Sequence, residues 1–142
     1  MQIRTITLTL LAMIGLTTGA FGRIGDDEKQ IEALYGKAAK ALGEKGSARQ
    51  VGYTAGAVAV VVDFVNGISR REGFAKADTS VLNAEEIQQI LAVSAADNTT
   101  WKEEPGKEGD RTWKRSDNKA QAFLPARGTF LVVQDVSCVQ PQ

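Results

Sequence analysis

Residues 57–67, "AVAVVVDFVNG", limit the possible folds of this chain more than any other stretch. A run this rich in β-branched residues favours a strand. Val58, Val60, Val62 and Phe64 share one face of it, and Ala57, Ala59 and Val61 occupy the other. With both faces apolar, the strand is expected to be central and covered on both sides. Asn66-Gly67 is a two-residue hairpin signal, because both positions tolerate positive φ. That turn would set Val65 opposite Ile68 and Asp63 opposite Arg70. A cross-strand ion pair is then the first reading of Asp63 and Arg70, ahead of any catalytic one.

The sheet needs a second layer, and two segments can supply helices. In "DDEKQIEALYGKAAKALG", Asp26 or Asp27 opens a helix, and its early acidic residues complement the positive end of the dipole. Ile31, Leu34, Tyr35 and Ala38 fall on one face; Gly36 either ends the helix or lies within a longer one reaching Leu42. "GEKGSARQ" reads as a solvated loop. In "SVLNAEEIQQILAVSAADN", Asn83 and Glu86 form a capping box, and Leu82 can staple onto Ile87. Ile87, Ile90, Leu91 and Ala95 make the buried stripe.

Beyond residue 98 the chain reads as strands: "TTWKEE", "RTWKRSD", "KAQAFLP" and "GTFLVVQDV", separated by "PGKEG", "SDN" and "PARG". Helix then strands, twice over, predicts an α+β fold with two short helices on one face of an antiparallel sheet. Residues 23–136 are expected to form one domain, with 26–76 and 82–136 as candidate tandem αβ units and 137–142 as a flexible tail.

Residues 1–22 have the layout of a secretory signal peptide: Arg4, an apolar run from Ile6 to Leu16, then small residues. Cleavage is expected after Ala20 or Gly22, leaving a periplasmic or secreted protein. The apolar run is shorter than a membrane-spanning helix requires, and no later segment is long and apolar enough to span a bilayer. Loss of Arg4 turns the balanced 17 basic and 17 acidic residues into one net negative charge. That argues against a nucleic-acid partner. No histidine is present, and the one cysteine is Cys138. These absences remove His-dependent nucleophile machinery and His or thiolate zinc clusters, so no metal or cofactor is expected. They also leave the fold without an internal disulfide. Cys138 is either a tolerated thiol on the tail or the donor of an intermolecular disulfide.

"IEALYGK", a strand starting at Tyr53 and "VVVDFVNGIS" resemble the helix, Tyr-bearing strand and Phe-x-Asn-Gly hairpin of the SmpA/OmlA family and of β-lactamase-inhibitor-like modules. The resemblance covers residues 26–76, and residues 82–135 less fully. It implies short helices on an antiparallel sheet, in some members as two tandem units, and a non-catalytic envelope or secreted protein that binds other proteins. The chain lacks the lipidated cysteine of the lipoproteins and the cysteine pairs of the inhibitors, so membrane anchorage is not implied.

"TWKEEPGKEGDRTWKR", residues 100–115, carries Thr-Trp-Lys twice. With "PGKEG" as the loop, Glu104 faces Asp110, Glu103 faces Arg111, Lys102 faces Thr112 and Trp101 faces Trp113. The indoles are then neighbours on one side of the sheet with Glu103, Arg111 and Arg115. Core packing under the second helix is the first reading, since only this face of the hairpin carries apolar area. The functional reading makes Trp101, Trp113, Lys102, Arg111 and Arg115 a ligand-binding set for a protein loop or a glycan. A hydrolase working with carboxylates alone would draw on Asp63, Glu72, Glu103 and Asp117, although no spacing places two of them across one cleft. The chain therefore reads as a non-enzymatic module binding a protein or another envelope component, with a glycan-binding module or a small hydrolase as alternatives.

Overall fold

A computed structural model describes residues 24–38, 40–95 and 98–138. The leader reading, and the tail beyond Cys138, lie outside the described residues. Helix α1 spans Glu28–Tyr35, and Asp27 caps it in a box with Gln30. It stops at Gly36, so Ala38 lies past its end and Leu42 belongs to a strand. Four strands follow, β1 (Lys40–Lys45), β2 (Ala48–Ala55), β3 (Val58–Val65) and β4 (Ile68–Lys76). Helix α2 (Ala84–Ser94) starts at the Asn83–Glu86 capping box. It precedes β5 (Trp101–Pro105), β6 (Arg111–Arg115), β7 (Ala120–Leu124) and β8 (Phe130–Asp135).

The expected loop "GEKGSARQ" is instead the hairpin between β1 and β2, and β2 begins at Ala48 rather than at Tyr53. Gly46 and Gly56 open the first two turns, and Asn66-Gly67 makes the third with φ of 52° and 78°, as a type I′ turn demands. Val65 does face Ile68, but a bulge between Asp63 and Phe64 puts Asp63 opposite Arg71. Arg70 instead pairs with Asp135 at 2.9 Å, and Asp63 accepts from Gln50 Nε2 at 2.7 Å.

All eight strands form one antiparallel sheet in the order β1-β2-β3-β4-β8-β7-β6-β5. Each half runs helix then four strands, and the halves join through their last strands, β4 and β8. Strands β1 and β5 are left as the outer edges.

Both helices lie on the same face. Ile31 of α1 and Ile87, Ile90 and Leu91 of α2 share one core with Val51, Tyr53, Val60, Phe64, Phe74, Leu131, Val133 and Trp113. The opposite face of β3, with Ala59, Val61, Asp63 and Val65, is half-exposed. Cover on both sides, as expected from composition, is not found: the two helices of the described residues occupy one side.

Candidate functional site

The register of β5 and β6 differs from expectation by two residues. Trp101 faces Arg115, Glu103 faces Trp113 and Pro105 faces Arg111. Lys102 faces Lys114 rather than Thr112, and Glu104 faces Thr112 rather than Asp110. Pro105 is the cause, since it belongs to the strand and not to the loop. An edge strand tolerates proline because the ladder does not need its missing N–H. Asp110 is held outside the strand, where its Oδ1 accepts from Ala126 N at 2.8 Å. A shift of two preserves the faces, so the indoles still share the helix side but sit diagonally.

There they meet the C-terminus of α2. The last four carbonyls of a helix have no partner within it. Trp101 Nε1 donates to Leu91 O at 2.7 Å, and Arg115 Nη1 donates to Ser94 O at 3.1 Å. Trp113 and Arg115 are buried, and Trp101 is half-buried. Asp117 takes two hydrogen bonds from Arg115, both 2.9 Å, which hold its carboxyl below the usual range. The Arg111 guanidinium lies 4.8 Å from the centroid of Trp113 and grips Glu103 at 2.7 and 3.1 Å, lowering that carboxyl as well. Beside them is a cleft of about 480 Å³ bordered by Gln88, Ala92, Thr100, Trp101 and Trp113. Of the five residues expected to act together, Trp101, Trp113, Arg111 and Arg115 are brought to this face. Lys102 is on the other.

The four carboxylates considered for hydrolysis are dispersed. Asp63 lies on the helix-free face and Glu72 on the helix face, 1% exposed. Glu103 and Asp117 are each engaged by their own arginine. Glu72 accepts from Ser69 Oγ at 3.1 Å and from the Tyr35 hydroxyl at 3.4 Å. Burial pushes its carboxyl up to about 7 against those bonds, and the charge of Asp26 adds to the rise.

The helix-free face is a second candidate that strand-by-strand reading missed. The pairings align into rows crossing all eight strands. One runs Gly43, Gln50, Asp63, Arg71, Gln134, Gln121, Lys114, Lys102. The next runs Lys40, Gly52, Val61, Gly73, Val132, Phe123, Thr112, Glu104. Phe130, 43% exposed, lies beside the second row next to the buried Val132. Two hollows of about 540 and 530 Å³ open on this face, meeting at Arg71 and Gln134. The first is rimmed by Lys45, Gln50, Asp63, Arg70 and Cys138; the second is floored by Phe123, Phe130 and Val132. Cys138 ends a short 3-10 turn over Val136–Cys138, with its thiol exposed and 3.9 Å from Arg70 O. The rows follow from the β4–β8 pairing, which joins residues about 60 apart and leaves no local signal.

No protein-family model matches the chain, and no curated protein matches it. Among solved structures, it is similar to a cysteine-rich secretory protein from Staphylococcus aureus, at 8% identity and a TM-score of 0.47. The match covers 80% of this chain and 45% of that one, so the chain spans less than half of its length.

Proposed function

We propose that this chain is an exported, non-catalytic binding module that docks a protein partner on the helix-free face of its sheet. One observation carries the reading. The two helices cover one face, while the other leaves Phe130 and Phe123 around Val132 within a concave, polar-rimmed surface. An apolar centre with a polar rim is the anatomy of a protein interface. The signal-peptide layout expected of residues 1–22 supports the reading of export.

The test is differential capture from envelope extract and culture fluid. Protein carrying Phe130→Ser with Arg71→Ala is compared with wild type and with a helix-side control, Gln88→Ala with Ala92→Ser. A partner retained by wild type and the control but lost from the first variant is expected. Retention by all three would overturn the reading.

The cleft between α2 and the Trp101–Trp113 face favours a second reading, a glycan held against the half-buried indole of Trp101. Oligosaccharides that quench tryptophan emission in wild type but not in Trp101→Phe would support it. Unchanged emission would count against it.

A further inference from the structure

Lys102 and Lys114 stand directly opposite each other on the helix-free face. Both are exposed. Like charges so placed oppose the pairing of their strands. Among the described residues neither joins an ion pair, whereas Arg111 and Arg115, on the covered face of the same hairpin, are each matched to a carboxylate. Among the described residues Arg71, three strands farther along the row, joins no ion pair either, and Asp63 opposite it accepts from Gln50. Gln134 and Gln121 fill the interval, roughly 14 Å at the usual strand spacing. The acidic group on this half of the face is Glu104, opposite Thr112. Three cations to one carboxylate therefore border an apolar floor.

We infer that this half of the face, over β4, β8, β7, β6 and β5, accepts a protein loop that sets an apolar side chain on Phe123 and Phe130 and carboxylates against Arg71 and the Lys102–Lys114 pair. The inference rests on the docking reading above and names the chemistry of its partner. A loop fits better than a uniform polyanion because the cations lie at the two ends of an aromatic floor. Such a floor gives a chain of phosphates or sulfates nothing to hold, whereas an apolar anchor flanked by charges suits it. The charges act at the rim, so binding weakens as salt rises.

The probe is a display library of short disulfide-closed random loops. It is selected on the wild-type protein, on Lys102→Glu/Lys114→Glu and on Phe130→Ala, with melting curves to verify folding and Phe130→Leu in reserve. Wild type is expected to enrich loops that combine Asp or Glu with Phe, Leu, Tyr or Met. The doubly charge-reversed protein should shift the enrichment to Lys and Arg, and Phe130→Ala should weaken wild-type loops by about tenfold. Loops that depend on Phe130 but show no acidic preference would overturn this inference and leave the docking face standing. Absent enrichment, or loops indifferent to every variant, would overturn both. Heparin fragments bound with the same lysine dependence while loops are not would make the site one for polyanions and overturn the inference. Self-association abolished by Phe130→Ala, with no loop bound, would assign the face to a second copy and do the same.

Discussion

Trp101 and Arg115 come from different strands and meet the same helix end, and their chemistry explains why neither is interchangeable there. α2 has no basic residue in its last turn. The Arg115 guanidinium therefore supplies the positive charge that the negative end of the helix dipole favours. Replacing Arg115 by Ala leaves the Ser94 carbonyl without its donor and Asp117 without its cation, which should cost about 2–4 kcal/mol. Trp101→Phe keeps an aromatic ring but loses the pyrrole N–H and part of the packed area, costing about 1–2 kcal/mol. Denaturant midpoints at unchanged slope would measure both, and midpoints equal to wild type would deny the clamp. Glu72 gives a pH signature. Its carboxyl rises from an ordinary 4.5 to about 7 in the folded chain. Between those values the native state holds a proton that the unfolded state has released, so stability falls as pH rises through the window. The full difference is about 3 kcal/mol above it. Glu72→Gln should flatten the dependence of unfolding free energy on pH across that range, while an equal slope in both proteins would refute the assignment. Sequence reasoning placed both tryptophans and Arg115 on the helix side because alternation sets faces. The clamp and the burial of Glu72 needed the packing of distant elements.

At the scale of elements, the helices and the strands from β3 onward were legible, because capping boxes and turn dipeptides act locally. β1 was not: its six residues are all exposed, with no apolar alternation to announce a strand. Its pairing comes from the Gly46-Ser47 turn and from the edge that β2 offers. The β5–β6 register was misread because proline usually marks a loop, and only an edge position makes Pro105 a strand residue. Gly106 is the residue that this loop requires. A Cβ there would land on the Asp110 carbonyl oxygen. Gly106→Ala should destabilise by about 1–3 kcal/mol and expose the Ala126 amide, which Asp110 holds, to faster hydrogen exchange. Exchange and stability matching wild type would show that the loop closes in another way.

At the scale of the whole molecule, the described residues make two helix-and-four-strand units joined between β4 and β8 in one sheet. Both helices cover the same side, so among the described residues neither lies over the rows of the other. The tandem rhythm was visible in sequence, but not the continuity of those rows, since each half supplies four strands and the shared face exists only where they join. A photo-crosslinking amino acid at position 130 or 121, on the helix-free face, compared with one at 88 or 92 on α2, tests this arrangement most directly in the native compartment. A shared covalent adduct with one other protein from positions 130 and 121, and none from 88 and 92, is the expected result. Adducts confined to the α2 positions would contradict the account.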